Sequence, residues 1–212
     1  MTRAVFLDVL GTLVELEPPW ISLRDRVPDE VSDEQLEAAL RVEMAYYREH
    51  AQEGRDERSL ADLRQRCAAL VSEQLGFEIP VNELVEAIRF SAYPDVAPAL
   101  SGLRDRGIRL ITVSNWDCSL PRVLERCGIG GMLDGTVTSA EAGARKPEPA
   151  IFSVALELAG CEAGEALHVG DTEEEDVAGA RGAGIRPLLI DREGRKGDIS
   201  SLEQIGEHLS NG

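Results

Sequence analysis

Residues 5–14 read VFLDVLGTLV: an apolar run stops at the carboxylate of Asp8, and a Gly-Thr pair, Gly11-Thr12, turns the chain straight afterwards. Short apolar runs of the same kind recur at AVFL (4–7), RLITVS (109–114), GTVTS (135–139), ALHVG (166–170) and RPLLI (186–190). Near-continuous apolarity over four to six residues predicts strands covered on both faces, as in a parallel sheet. Helical patterns lie between them. Residues 94–106 run up to Gly107, Ser119 precedes LPRVLERC with Pro121 in its first turn and Gly128 beyond its end, and residues 149–159 and 173–183 read as two more helices, the second stopped by Gly184. Strand and helix alternate from residue 94 onward, so the expected class is α/β.

From residue 16 to 92 the pattern is helical only. Leu36, Leu40, Met44 and Tyr47 share one helical face behind the capping-box sequence SDEQ (32–35). A second face carries Leu60, Leu63, Cys67, Leu70 and Val71, and a shorter third helix follows Pro80 with Val81, Leu84, Val85 and Ile88. The segment reads as a helical module inserted after the first strand.

A net charge of -17 argues against nucleic acid and against an anionic membrane surface as partners. No apolar run approaches the roughly 20 residues of a spanning helix, and Asp8 interrupts the only N-terminal candidate for a signal peptide. Cys67, Cys118, Cys127 and Cys161 show no C-x-x-C spacing and read as reduced thiols, which makes the cytoplasm the default location. Only Lys146 and Lys196 are lysines in a chain otherwise rich in arginine. A lysine in the loop EAGARKPEP therefore invites a specific reason.

Ligands of open α/β sheets bind beyond the carboxyl ends of the strands. Those ends carry Asp8, Ser114 with Asn115, and Asp171, while Lys146 lies in the loop after the third strand. FLDVLGTLV, TVSNWD, RKPEPAIF and HVGDTEEEDVAGARGAG, in this order, resemble the four motifs of the haloacid dehalogenase-like hydrolase superfamily, and the resemblance covers essentially the whole core. It implies a Rossmann-like parallel sheet core (1–15 and 93–212) with an inserted α-helical cap domain (16–92). It also implies a nucleophile at Asp8, phosphoryl contacts from Ser114, Asn115 and Thr12, and charge compensation by Lys146. Mg²⁺ would be held by Asp8, the backbone carbonyl of Leu10, and Asp171, with Asp176 or Glu175 nearby. A hard ion with oxygen ligands suits such an acidic group. The expected substrate is a small phosphorylated metabolite, and the expected assembly a monomer or homodimer.

One position departs from the family pattern. Phosphatases of the family place an aspartate two residues after the nucleophile as general acid and base, and this chain has Leu10. Losing such help costs about 10²–10⁴ in rate. A phosphohydrolase favouring good leaving groups ranks first, with Glu15, Glu17 or Asp117 as substitute acids. A catalytically impaired Mg²⁺- and phosphate-binding protein ranks second. A 2-haloacid dehalogenase ranks third, because GDTEEED is more acidic than a metal-free site suits; Arg41, its candidate carboxylate binder, reads as a surface residue. A phosphonatase, which needs a cap lysine, is excluded by the absence of lysine from 16–92. His50 and His208 read as exposed and His168 as a buried strand residue. Trp116 and Trp20 read as packing or as lining the site mouth, and the glycines of GARGAG (179–184) as close packing.

Overall fold

The computed structural model describes residues 1–209, so the last three residues of the expected core, 210–212, lie outside the described residues. In chain order the elements are β1 (Ala4–Leu7), β2 (Val14–Leu16), α1 (Pro19–Leu23), α2 (Asp33–His50), α3 (Glu57–Leu75), α4 (Val81–Ala87), β3 (Phe90–Ala92), α5 (Val96–Asp105), β4 (Arg109–Ser114), α6 (Leu120–Arg126), β5 (Gly135–Thr138), α7 (Ser139–Ala142), α8 (Pro149–Ala159), β6 (Ala166–Gly170), α9 (Gly179–Gly182) and β7 (Arg186–Leu189). Five strands form one parallel sheet in the order β5-β4-β1-β6-β7. This is the α/β architecture expected from the alternation of strand and helix.

The period of two along β1 explains why its sequence is apolar throughout. Val5 and Leu7 face the cluster built with α5, α6 and residues 202–205, while Ala4 and Phe6 face the cluster under α8 and α9. All four are fully buried. Burying Val5, Phe6 and Leu7 stabilises the fold by about 1.5–3 kcal/mol each, so β1 anchors both helix layers.

Helices α1 to α4 carry a third, separate apolar cluster that includes Leu36, Leu40, Leu63, Cys67, Val71 and Leu84. Both long helices begin with reciprocal caps. Ser32 accepts from the Gln35 amide while Gln35 accepts from that of Ser32, and Asp56 and Ser59 repeat the arrangement. The insert is joined to the sheet through an antiparallel ribbon, with Val14 opposite Ala92 and Leu16 opposite Phe90. The ribbon straddles both expected junctions, near residues 16 and 92. Among the described residues, no helix is long and apolar enough to cross a membrane.

The segment 173–183, expected as one helix, is divided. Residues 173–178 form a widened π-helical turn, with the Val177 amide reaching Thr172 O at 3.2 Å, and α9 follows. His50 and His208 are half-buried rather than exposed, His50 because its ring stacks on Tyr46 at 4.0 Å. Gly179 accounts for the small-residue stretch: a Cβ there would lie 2.9 Å from the Phe152 ring and 3.0 Å from the Pro147 backbone.

Candidate active site

Parallel pairing puts the carboxyl ends of β1, β4 and β6 side by side, with Leu7 between Thr112 and Val169. Asp8 follows immediately, its amide bonded to Val169 O at 2.9 Å, and Ser114 and Asp171 stand at the neighbouring strand ends. Ser114 Oγ donates to Asp8 Oδ1 at 3.1 Å. Asp8 is 6% exposed and Lys146 only 1%.

Lys146 reaches the centre because its loop is clamped to the sheet edge. Its amide donates to Asn115 Oδ1 at 2.8 Å and its carbonyl accepts from Asn115 Nδ2 at 3.1 Å. Lys146 Nζ then bonds Asp8 Oδ1 at 2.6 Å and Asp176 Oδ1 at 2.5 Å. A compact ammonium between two carboxylates is what a lysine provides and a planar guanidinium does not. Burial alone would discharge it, but Asp8 and Asp176 more than offset that and hold its pKa above the ordinary lysine value. Asp8 is raised by burial, with Lys146 opposing.

Asp176 owes its place to the widened turn. Its Oδ2 accepts from the Thr172 amide at 3.0 Å and Thr172 Oγ1 at 2.7 Å, and its Oδ1 also accepts from His168 Nε2 at 2.9 Å. Burial opposes ionisation here, yet Lys146 and His168 hold this carboxyl below the usual range. With Nε2 donating, the buried Nδ1 of His168 has no partner among the described residues. Gly170 makes room for this group, since a Cβ there would lie 2.1 Å from Asp176 Cγ.

Asp8, Asp171 and Asp176 each offer an oxygen within a 4.8 Å group. Asp171 keeps an edge open to solvent, yet partial burial and the charges of Asp8 and Asp176 raise its pKa to about 7. Lys146 alone therefore does not compensate the cluster, and an all-oxygen donor set fits a hard divalent cation. Gly11 shapes the same spot: at φ +80°, its absent Cβ would fall 2.2 Å from Asp171 Oδ2.

Above the strand ends lies a cavity of about 420 Å³ roofed by the insert. Asp8, Leu10, Ser114, Asn115, Asp171, Glu175 and Asp176 line its floor, and Glu43, Tyr47, Arg64, Cys67 and Leu84 its roof. Thr12 is fully buried, does not line the cavity, and has an unpartnered hydroxyl among the described residues. Glu175 pairs with Arg145 at 3.4 Å. Of the substitute acids, Glu15 and Glu17 are exposed outside the cavity. Asp117 lines it with both oxygens engaged, Oδ2 by Tyr47 Oη at 2.7 Å and Oδ1 by the Ser119 amide at 2.7 Å. Arg41 pairs with Glu37 over the Trp20 ring, outside the cavity. Trp116 does both jobs, lining the cavity and packing on Phe90.

Two participants escaped the sequence reading. His168 sits eight residues before Asp176 with no local signal for the turn that joins them. Glu43 was detectable, being a charge on the face of Leu36, Leu40 and Tyr47. It is 2% exposed, and burial raises its pKa against an opposing bond from Cys67.

The comparisons with known proteins agree with this geometry. A family model described as haloacid dehalogenase-like hydrolase matches residues 2–184. The chain is 42% identical over 91 residues to the bovine (Bos taurus) haloacid dehalogenase-like hydrolase domain-containing protein 3, covering 43% of this chain and 36% of that one. It is 36% identical over 117 residues to a phosphoserine phosphatase of Thermus thermophilus, covering 52% and 47%. These matches span less than half the length of either relative. The crystal structure of a HAD phosphatase from Thermococcus onnurineus superposes with a TM-score of 0.70 at 25% identity, covering 98% of this chain and 97% of that one. An L-2-haloacid dehalogenase of Xanthobacter autotrophicus shares the fold at a TM-score of 0.71 and 18% identity, covering 98% of each chain. The chain belongs to the haloacid dehalogenase-like hydrolase family.

Proposed function

We propose that the protein is a Mg²⁺-dependent phosphohydrolase that removes phosphate from a small metabolite through an aspartyl-phosphate on Asp8. The carrying observation is the convergence of Ser114 Oγ and Lys146 Nζ on a single oxygen, Asp8 Oδ1, beside the Asp171 carboxyl. Neither of these side chains bonds Oδ2, which leaves it for attack on phosphorus. Phosphatases among the relatives, acting by name on phosphoserine and on glyceraldehyde 3-phosphate, support the same reaction class.

Asp8, Asp171 and the Leu10 carbonyl would hold the cation, which supplies charge neutralisation for the incoming phosphate when bound. Lys146 shields Asp8 from a dianion, and Ser114 orients the nucleophile. Asp176, held by His168 and Thr172, positions the Lys146 ammonium and makes no hydrogen bond to Asp8. Transfer breaks the ester P–O bond and forms Asp8 Oδ2–P. The leaving oxygen then needs a proton, and Leu10 has none to give. Asp117 is committed to Tyr47 and Ser119, so aryl and acyl phosphates, which leave as weak bases, are the favoured substrates.

The Leu10 substitution also supports a second reading, a Mg²⁺- and phosphate-binding protein that turns over poorly. Intact-mass spectrometry after brief exposure to Mg²⁺ and acetyl phosphate separates the two. A phosphate adduct on wild type that is absent from Asp8→Asn, with steady phosphate release, is the expected result. Absence of both adduct and release refutes the phosphohydrolase.

A further inference from the structure

Many arginines on the surface of this chain meet carboxylates, as Arg3, Arg24, Arg26, Arg66 and Arg122 do. Arg48 of α2 and Arg64 of α3 do not. Both line the cavity, Arg64 half-buried, and neither has an ion-pair or hydrogen-bond partner among the described residues. With 39 acidic residues against 22 basic ones, unpaired cations facing an enclosed space are against the trend of the chain.

The acids that share this roof do not neutralise them. Asp117 is committed to Tyr47 and Ser119. Burial favours the uncharged form of Glu43. Leu84, Ile88 and Phe90 make the intervening wall apolar, which strengthens any charge pair formed across it. The cavity thus has carboxylates at the strand ends and, above them, half-buried Arg64 and exposed Arg48 without ion-pair partners among the described residues. Its volume of about 420 Å³ lies in the range of small-molecule sites, about 300–1,000 Å³.

Resting on the phosphohydrolase reading, we propose that the roof is a second anion site: Arg64, with Arg48 on the adjoining helix, holds a carboxylate or a second phosphate at the end of the substrate remote from Asp8. The substrate class is then a phosphorylated metabolite whose other end is anionic. Guanidinium forks bind both anions bidentately.

The test is calorimetry on the full chain with Mg²⁺, in an Asp8→Asn background so that no ligand is consumed. A matched series isolates the remote group: propyl phosphate, 3-phosphooxypropanoate and propane-1,3-diyl bisphosphate. Both doubly anionic ligands are expected to bind at least tenfold more tightly than propyl phosphate, with their order telling carboxylate from phosphate. Arg64→Gln should weaken these two by about 10–100-fold, the loss of a charge-assisted bond, while propyl phosphate changes less than about twofold. Arg64→Lys should restore part of the loss. Equal affinity for all three ligands, binding of none, or a uniform loss on Arg64→Gln overturns the proposal. Phosphate release from acetyl phosphate by the Asp8 protein, whose leaving group needs no proton, separates the two readings. No adduct and no release with the affinity gap intact sinks the phosphohydrolase and leaves the anion site. Release without the gap does the reverse.

Discussion

Gly11 offers a sharp test of the proposed metal site. In Gly11→Ala a methyl group must occupy a point 2.2 Å from Asp171 Oδ2 and 2.7 Å from its Cγ, at a backbone φ of +80°. The left-handed backbone alone costs about 1–2 kcal/mol for a residue with a Cβ. Gly76 supplies the control, since at φ +76° a Cβ there meets nothing within 4 Å. Gly76→Ala should therefore lower Tm by about 2–4 °C for each kcal/mol of that cost and leave Mg²⁺ binding alone. In Gly11→Ala the Asp171 carboxylate must also retreat by roughly 1 Å to reach ordinary contact distance. Misplacing a ligand by that much should weaken Mg²⁺ affinity by about 10–100-fold, by analogy with lost supporting contacts around metal ligands. Calorimetric Mg²⁺ titration and thermal unfolding on both variants read the two effects separately. Wild-type Mg²⁺ affinity in Gly11→Ala would refute the assignment of Asp171 to the cation.

Three further outcomes are expected. Leu10→Asp should speed decay of the phospho-Asp8 species by about 10²–10⁴, read as phosphate release in single turnover, and no acceleration would mean that position 10 does not face the attacking water. Glu43→Gln should gain stability over wild type as pH rises: the folded-state pKa of Glu43 is raised, so stability present below its unfolded value is lost as pH climbs through the folded one. Denaturant unfolding between pH 4 and pH 8 measures this, and parallel curves for the two proteins would count against it. Tyr47→Phe removes the bond to Asp117 that ties α2 to the sheet and should cost about 1–3 kcal/mol by denaturant unfolding; an unchanged midpoint would show that the contact carries no net energy.

The strand ends were readable because a parallel sheet writes itself as short apolar runs, and each run stops where a polar residue must leave the core. Asp8, Ser114 and Asp171 follow from that rule alone. Lys146 was legible by its rarity, although its depth required the Asn115 clamp, which joins residues 31 apart in the chain. The His168–Asp176 contact was not legible, because propensity describes an α-turn and the contact depends on a π-turn. Glu43 hid in plain view, since an acid inside an apolar heptad is ordinarily assigned to the solvent edge. The roof arginines could not be sorted from the other arginines by sequence, since pairing is a matter of which carboxylates come near.

The position of β1 also sets the order in which the chain can assemble. Val5 lies between Leu110 and Leu167, so this strand has no partner in the sheet until residues 109–114 have followed it. The helical insert faces no such wait: α2 and α3 are neighbours in sequence and carry their own apolar cluster. Local contacts form fast and distant ones slowly. During synthesis, then, the roof of the cavity is expected to be in place before its floor, with an unpaired apolar strand held open beside it. Stalled nascent chains ending near residue 100 should protect α2 and α3 amides from exchange while those of β1 remain open, and protection of β1 at that length would reverse the order.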